Sequence, residues 1–398
     1  MPNANPPSIL LIAGDVSGDV HSAALARELL KRDPARVLHA LGGSRLREVV
    51  RRSAGGQFLG DTSNLSAIGI PSAVKVYFRC RELRDVLREF LRTQRVDLVV
   101  LCDWGAFNGR MLPELHALGL PILYYFPPSS WRRTGPHGLG IARYVTRVAT
   151  PFAWSAERLR AAGCEAEWVG HPAIENVRSK DERAAIRGSL GMAKSDKLVA
   201  LLPGSRLSEI KVLAPRIAKA AEIIKADTAP RFVAVVPAEL AAETRSHLPA
   251  SIDVVTDCAT DVLAAADAAI VKTGTASLEA ALSETPHVAV YDVSVATRIE
   301  WCLLWAWRRI PFLAMPNIIL EREAVPELIG LNCTPAKIAA ALTRLLRDEA
   351  ARAEMQGDYA LIRQALGSEL PRPPTERTAD IVEEMLAKSD AVAARQAS

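Results

Sequence analysis

Twice along this chain a short apolar run ends at a glycine and leads into a helical pattern: SILLIAG at residues 8–14 and KLVALLPG at 197–204. A run with no alternating polar face needs cover on both sides, which a strand of a parallel sheet receives from helices. More such runs follow each of the two. They are residues 37–41, 96–103, 121–126, 147–150 and 166–170 in the first half, and 232–236, 252–256, 268–272 and 288–291 in the second. Helical patterns lie between them, as at residues 22–31. Over 81–92, Leu83, Val86, Leu87, Phe90 and Leu91 recur at spacings of three and four. This alternation predicts an α/β chain of two doubly wound, Rossmann-like domains facing a cleft, with ligand at the carboxyl ends of the strands. A length of 398 residues suits two cores better than one. The expected domains are residues 1–173 and 185–345, joined by a polar linker at 174–184. Residues 346–398 then supply C-terminal helices and a tail that frays beyond Leu386.

Composition narrows the function. Hydrophobic residues make up 49% and charged residues 24%, enough for a sizeable core in each half. A net charge of +4 with 5% aromatic residues suits phosphorylated ligands or an anionic surface, and offers no base-stacking platform, so no nucleic acid is expected. Six scattered cysteines form no CxxC pair and seven histidines no HExxH spacing, so neither a metal site nor a cofactor is expected. The first residues, MPNANPPS, have neither the basic region nor the apolar region of a signal peptide. No stretch is apolar for long enough to span a bilayer.

Two loops in the second half carry the chemistry. In LLPGSRLSEI (201–210), Gly204 permits a tight turn before a helix whose free N–H groups favour an anion, and Arg206 can fork onto phosphate oxygens. Glu209 falls in the first helical turn, where a carboxylate is favoured in any case. VKTGTASLEAAL (271–282) repeats the arrangement, with Gly274 and Thr275 opening a helix and Glu279 placed to accept hydrogen bonds from a ribose diol. A plain capped strand-to-helix turn would explain either loop alone; the two together fit a nucleoside diphosphate. Neither is a Walker loop, and no Asp-x-Asp pair is present to anchor a metal–diphosphate complex. In the first half, GDVSGDVH (14–21) departs from GxGxxG, and Asp15 and Asp19 would repel a pyrophosphate. Those carboxylates and Ser17 suit sugar hydroxyls instead, or Ser17 or Asp19 caps a helix. Asp103 ends the apolar run VDLVVLCD, so it should leave a strand's carboxyl end partly desolvated, as a general base or as a cap for the next helix.

The loops together resemble the lipid-A-disaccharide synthase family, of GT-B fold, from about Ile9 to Leu345. The resemblance runs through GDVSGDVH, LGGSRL (41–46), LSAIGI (65–70), CDWGAFN (102–108), PSSW (128–131) and VGHP (169–172). It continues through LLPGSRLSEI, TGTASLEAAL and PNIILEREAVPELI (316–329). It implies an inverting transfer of diacylglucosamine from UDP-2,3-diacylglucosamine to 2,3-diacylglucosamine 1-phosphate, with UDP as the second product. By the same resemblance Asp103 is the base, Asn108 follows it in the acceptor-side motif, and Ser17, Gly18 and Asp19 form the first loop. Arg206 contacts the diphosphate, Glu279 belongs to the nucleotide helix, and Asn317, Arg322 and Glu323 lie on the donor side. The chain departs from the family at Asp15, usually Glu, at Gly105-Ala106 in place of Pro-Asp, and at Arg132-Arg133 after Trp131. These changes bear on the acceptor. Related UDP-sugar transfer to another lipid-linked acceptor, a UDP-N-acetylglucosamine 2-epimerase, or a silent sugar-nucleotide binder are the alternatives.

Acylated substrates imply peripheral contact with the cytoplasmic face of the inner membrane. One candidate surface is Trp301, Trp305 and Trp307 with Leu303, Leu304, Arg308 and Arg309. The other is the segment carrying Ile68, Ile70, Val74, Val76, Tyr77 and Phe78, which Pro71 and Lys75 interrupt, beside a stripe of Arg84, Arg88 and Arg92. A buried helix and an ordinary charged helix face are the respective alternatives. Assembly into a homo-oligomer is left open.

Overall fold

The computed structural model describes residues 6–62, 65, 70–133, 139–193, 196–293 and 311–396. The chain divides into two compact units, Met1–Pro172 with Leu366–Ser398, and Ala173–Ala365. Each unit is a doubly wound parallel sheet with helices, the class that the apolar runs predict.

The first sheet contains β1 (Ser8–Ala13), β2 (Val37–Gly42), β3 (Phe58–Asp61), β4 (Leu98–Cys102), β5 (Ile122–Tyr125), β6 (Arg147–Thr150) and β7 (Ala166–Trp168) in the order 3-2-1-4-5-6-7. Every β1 and β4 residue is buried. Alternate side chains feed opposite cores: Ile9, Leu11 and Ala13 on one face, Leu10 and Ile12 on the other. The helices of this unit are α1 (Asp15–Arg32), α2 (Ser44–Val50), α3 (Ile70–Thr93), α4 (Gly105–Ala117) and α5 (Ala153–Ala161).

The second unit begins with a 3-10 turn and α6 (Lys180–Ser189), so part of the expected linker at 174–184 is helical. Ser179 and Glu182 form a reciprocal capping box there, an S-x-x-E signature that was available in the sequence. The second sheet contains β8 (Leu198–Leu202), β9 (Arg231–Val236), β10 (Asp253–Thr256), β11 (Ala268–Lys272), β12 (His287–Tyr291) and β13 (Glu327–Ile329), ordered 10-9-8-11-12-13. Its helices are α7 (Leu207–Thr228), α8 (Ala241–His247), α9 (Ala259–Ala265), α10 (Thr275–Leu282), α11 (Met315–Leu320), α12 (Pro335–Arg347) and α13 (Glu349–Ala365). The last helix, α14 (Pro374–Gln396), returns to the first unit, where Ile381, Val382, Met385 and Leu386 enter the same core as β1.

Two expected segments take another form. The first turns of GDVSGDVH are helix rather than loop, because α1 starts directly after Gly14. Helix α3 begins at Ile70, well before the periodic stretch from Arg81. The basic stripe on α3 is engaged: Arg88 pairs with Glu114 of α4 at 2.7 Å, Arg84 lies 3.7 Å from the same carboxylate, and Arg92 pairs with Glu89. The tryptophan cluster at 301–307 with its neighbours 303–309, Ile68, and the side chains of Asp15, Ile70 and Val74 lie outside the described residues.

Candidate active site

A doubly wound sheet reverses its strand order at one place, and ligands gather there because loops on either side diverge. In the first unit the reversal lies between β1 and β4. Ala13 is level with Cys102, so Gly14 and Asp103 leave the sheet side by side. The chain then takes two consecutive left-handed residues, Asp103 (φ 51°) and Trp104 (φ 49°). Trp104 occupies space that only glycine leaves open: a Cβ on Gly14 would lie 2.1 Å from its Cγ. The indole stacks on Phe107 with centroids 4.0 Å apart. The Asp103 N–H donates to the carbonyls of Tyr125 and Phe126, each at 3.2 Å. Its own carbonyl accepts from the Tyr124 hydroxyl and from Asn108 Nδ2, both at 2.8 Å. Asp103 is half-buried, whereas Tyr124 and Asn108 are fully buried. Burial, reinforced by the Asp103 charge, pushes the Tyr124 phenol well above its ordinary range, so it remains a donor.

Gly18, near the start of α1, lies beside this turn: a Cβ there would make ordinary contact with the Asp103 Cβ, at 3.7 Å. Ser17 beside it is half-buried. Asp19 is buried, and its carboxylate accepts the N–H groups of Gly43 (2.8 Å), Arg45 (3.0 Å) and Leu46 (3.0 Å). It caps α2 across space, so the capping alternative holds for Asp19, on a helix distant in sequence. His21 stacks on Phe126 at 4.5 Å and meets His171 edge-on. Burial lowers the His21 pKa to about 4 and that of His171 well below its usual value. Both rings are therefore neutral at physiological pH and form a wall, with no charge for a phosphate.

In the second unit the reversal lies between β8 and β11, where Leu202 is level with Val271. Gly204 adopts φ 133°, and a Cβ there would come 2.5 Å from Glu209 Oε2. Glu209, 3% exposed, turns back under the loop. One of its oxygens accepts the Ser205 N–H at 3.1 Å; the other takes both Arg206 Nη1 at 3.2 Å and Lys272 Nζ at 2.9 Å. Two cations, Arg206 from the loop after β8 and Lys272 from the end of β11, thus meet on one buried carboxylate. Lys272 is not among the residues expected at this site. Its signal was the one that marked Asp103, a charged residue ending an apolar strand. Gly274 (φ 110°) opens α10, with Thr275 exposed at its first position and Glu279 half-buried one turn on.

The segment expected on the donor side forms a knot around Asn317. This side chain is fully buried: its Nδ2 donates to Val325 O (3.0 Å) and Glu327 Oε2 (2.9 Å), and its Oδ1 accepts the N–H groups of Ala324 (2.8 Å) and Val325 (2.9 Å). Those bonds hold the turn that displays Arg322 and Glu323. Arg322 forks onto Asp358 of α13, and Glu323 is exposed. The knot is tied to α10, since Ser277 Oγ donates to Gly274 O at 2.7 Å and accepts the Met315 N–H at 3.1 Å.

Comparison with known proteins decides what this arrangement belongs to. The family model for lipid-A-disaccharide synthetase matches residues 9–379. The chain belongs to the lipid-A-disaccharide synthetase family. A lipid-A-disaccharide synthase of Myxococcus xanthus is 34% identical over 91% of this chain and 94% of its own length. One of Nitrosococcus oceani is 32% identical over 95% and 97%. Among solved structures, Arabidopsis thaliana UGT89C1 superposes with a TM-score of 0.62 at 15% identity, covering 96% of this chain and all of its own. That likeness shows the fold alone. As a member of the synthetase family the chain is a GT-B glycosyltransferase of lipid A biosynthesis, and the epimerase and silent-binder readings give way to it.

Proposed function

We propose that this chain transfers a 2,3-diacylglucosaminyl group from its UDP derivative to the 6-hydroxyl of 2,3-diacylglucosamine 1-phosphate. The new bond joins the anomeric carbon to that oxygen, the bond from the anomeric carbon to the UDP oxygen breaks, and configuration inverts. Asp103 takes the proton of the attacking hydroxyl. Arg206 and Lys272, with the N-termini of α7 and α10, meet the charge of the departing diphosphate, and the backbone at Gly204 and Gly274 approaches it closely. Glu279 faces the ribose, and Ser17 and the turn carrying Arg322 and Glu323 contact sugar. The observation that carries this reading is the shared Glu209 oxygen: Arg206 and Lys272 are pre-positioned as a pair at the sheet's reversal point. Incubating the protein with UDP-2,3-diacylglucosamine and 2,3-diacylglucosamine 1-phosphate should yield UDP and a β-1,6-linked disaccharide 1-phosphate by mass spectrometry. Release of UDP only with a different acylated acceptor would move the assignment to that acceptor.

The same reading places the protein at the cytoplasmic face of the inner membrane. Among the described residues no helix is long and apolar enough to cross a membrane; the contact proposed is peripheral. Tyr77 and Phe78 on α3 support it, 52% and 61% exposed beside one another. Aromatic rings at that exposure suit a headgroup interface. The protein should co-sediment with vesicles containing anionic phospholipid, and Tyr77→Ser with Phe78→Ser should weaken that binding; unchanged sedimentation removes α3 from the contact.

A further inference from the structure

A non-glycine residue in the left-handed region costs free energy, and a tryptophan side chain has no local hydrogen bond with which to recover it. Asp103 and Trp104 take that conformation in succession, so contacts from elsewhere must hold the turn. On one side of the Asp103 Cα, its N–H is shared between the carbonyls of Tyr125 and Phe126. On the other, its carbonyl receives the Tyr124 hydroxyl and Asn108 Nδ2 at 2.8 Å each. Both peptide planes that flank this Cα are thereby fixed. With both planes fixed, so is the direction of the Cα–Cβ bond.

The Tyr124 hydroxyl is the informative atom. Tyr124 is fully buried in the apolar core on one face of the first sheet. Phenylalanine would fill the same volume with no polar atom left to satisfy. Asn108 is likewise fully buried, which leaves it no open surface from which to touch a substrate. We infer that Tyr124 and Asn108 are positioning residues, which lock the peptide between Asp103 and Trp104 and so aim the Asp103 carboxylate. This rests on the reading of Asp103 as the base, and it gives Asn108 a role other than substrate contact.

The test is Tyr124→Phe, which removes one oxygen, with Asn108→Ala as the second variant, in the full-length protein and with the two acylated glucosamines as substrates. Misaiming a base by a fraction of an ångström should lower kcat about 30-fold for Tyr124→Phe. KM for the UDP-sugar and Kd for UDP should stay within about twofold, since the loss falls on the transition state alone. In an Asp103→Asn background, neither variant should slow the residual reaction further. A kcat within about twofold of wild type for both variants overturns the proposal, as does an equal loss in the two backgrounds, which marks a merely structural effect. If Asp103→Asn itself keeps full turnover, the reading of the base fails instead. A loss in Asp103→Asn with none in Tyr124→Phe or Asn108→Ala defeats the positioning role alone.

Discussion

Asp103→Asn is expected to lower kcat about 1,000-fold, within the range of general-base removal, while UDP binds as before. The loss corresponds to about 4 kcal/mol of transition-state stabilisation. Asparagine is the informative replacement because it shares the size of aspartate and tolerates the left-handed backbone that this position adopts (φ 51°). Alanine would remove the carboxylate and disturb the turn together. The opposite pattern is expected at the other reversal point. Lys272→Met should weaken UDP about tenfold, about 1.4 kcal/mol, because a charge-assisted contact to the diphosphate is lost. Glu209 keeps Arg206 and the Ser205 N–H as partners, so the loop should survive the change. Kinetics of UDP release and calorimetric titration with UDP and with uridine separate the two cases. Turnover by Asp103→Asn within a few-fold of wild type removes the base role; a matching loss of uridine affinity in Lys272→Met removes the phosphate role.

How much of this could be read from the sequence depended on whether the responsible partner lay nearby in the chain. Apolar runs such as LVVLC and LVALL announce buried parallel strands by themselves, and both glycine loops fall where the strands end. The edge strands β3 and β13 are half-exposed and carry no such run, so nothing local marks them. GDVSGDVH reads as a loop because glycine and aspartate disfavour helix interiors. It is helical because Asp19 finds its donors at the start of α2. Tertiary contacts override propensity there. Asn317 shows a different limit. Its four hydrogen-bond valencies are filled by residues seven to ten positions away, so a motif asparagine that reads as a donor contact is a framework residue. Lys272 ends an apolar strand as Asp103 follows one, but its role depends on Glu209, 63 positions away in the chain.

Ending the chain after Pro373 is expected to unfold the first unit. Helix α14 contributes Ile381, Val382, Met385 and Leu386 to the core that also holds Ile9, Leu11 and Leu25. Losing four such side chains from that core forfeits about 8 kcal/mol at about 2 kcal/mol each, which is comparable with the whole stability of a domain. The polar contacts act in the same direction. Arg36, almost fully buried, holds Glu383 through two bonds at 2.6 and 3.0 Å. Arg147 reaches Glu384 at 2.6 Å, and Arg32 reaches Asp380 at 2.9 Å. Among the described residues Arg36 would keep the Asp33 carboxylate, at 3.5 Å, as its ion-pair partner, so lost pairs add to the lost packing. Hydrogen exchange gives the cleanest readout. In the truncated chain the amides of β1, β2 and β4 should lose protection, while those of β8 and β11, whose sheet α14 does not complete, should keep it. Native protection in β1 and β4 after truncation would show that the first core closes without this helix. Such a result would make the return of the chain a covering for a finished domain, and the contacts at Arg36 and Arg147 ordinary surface pairs.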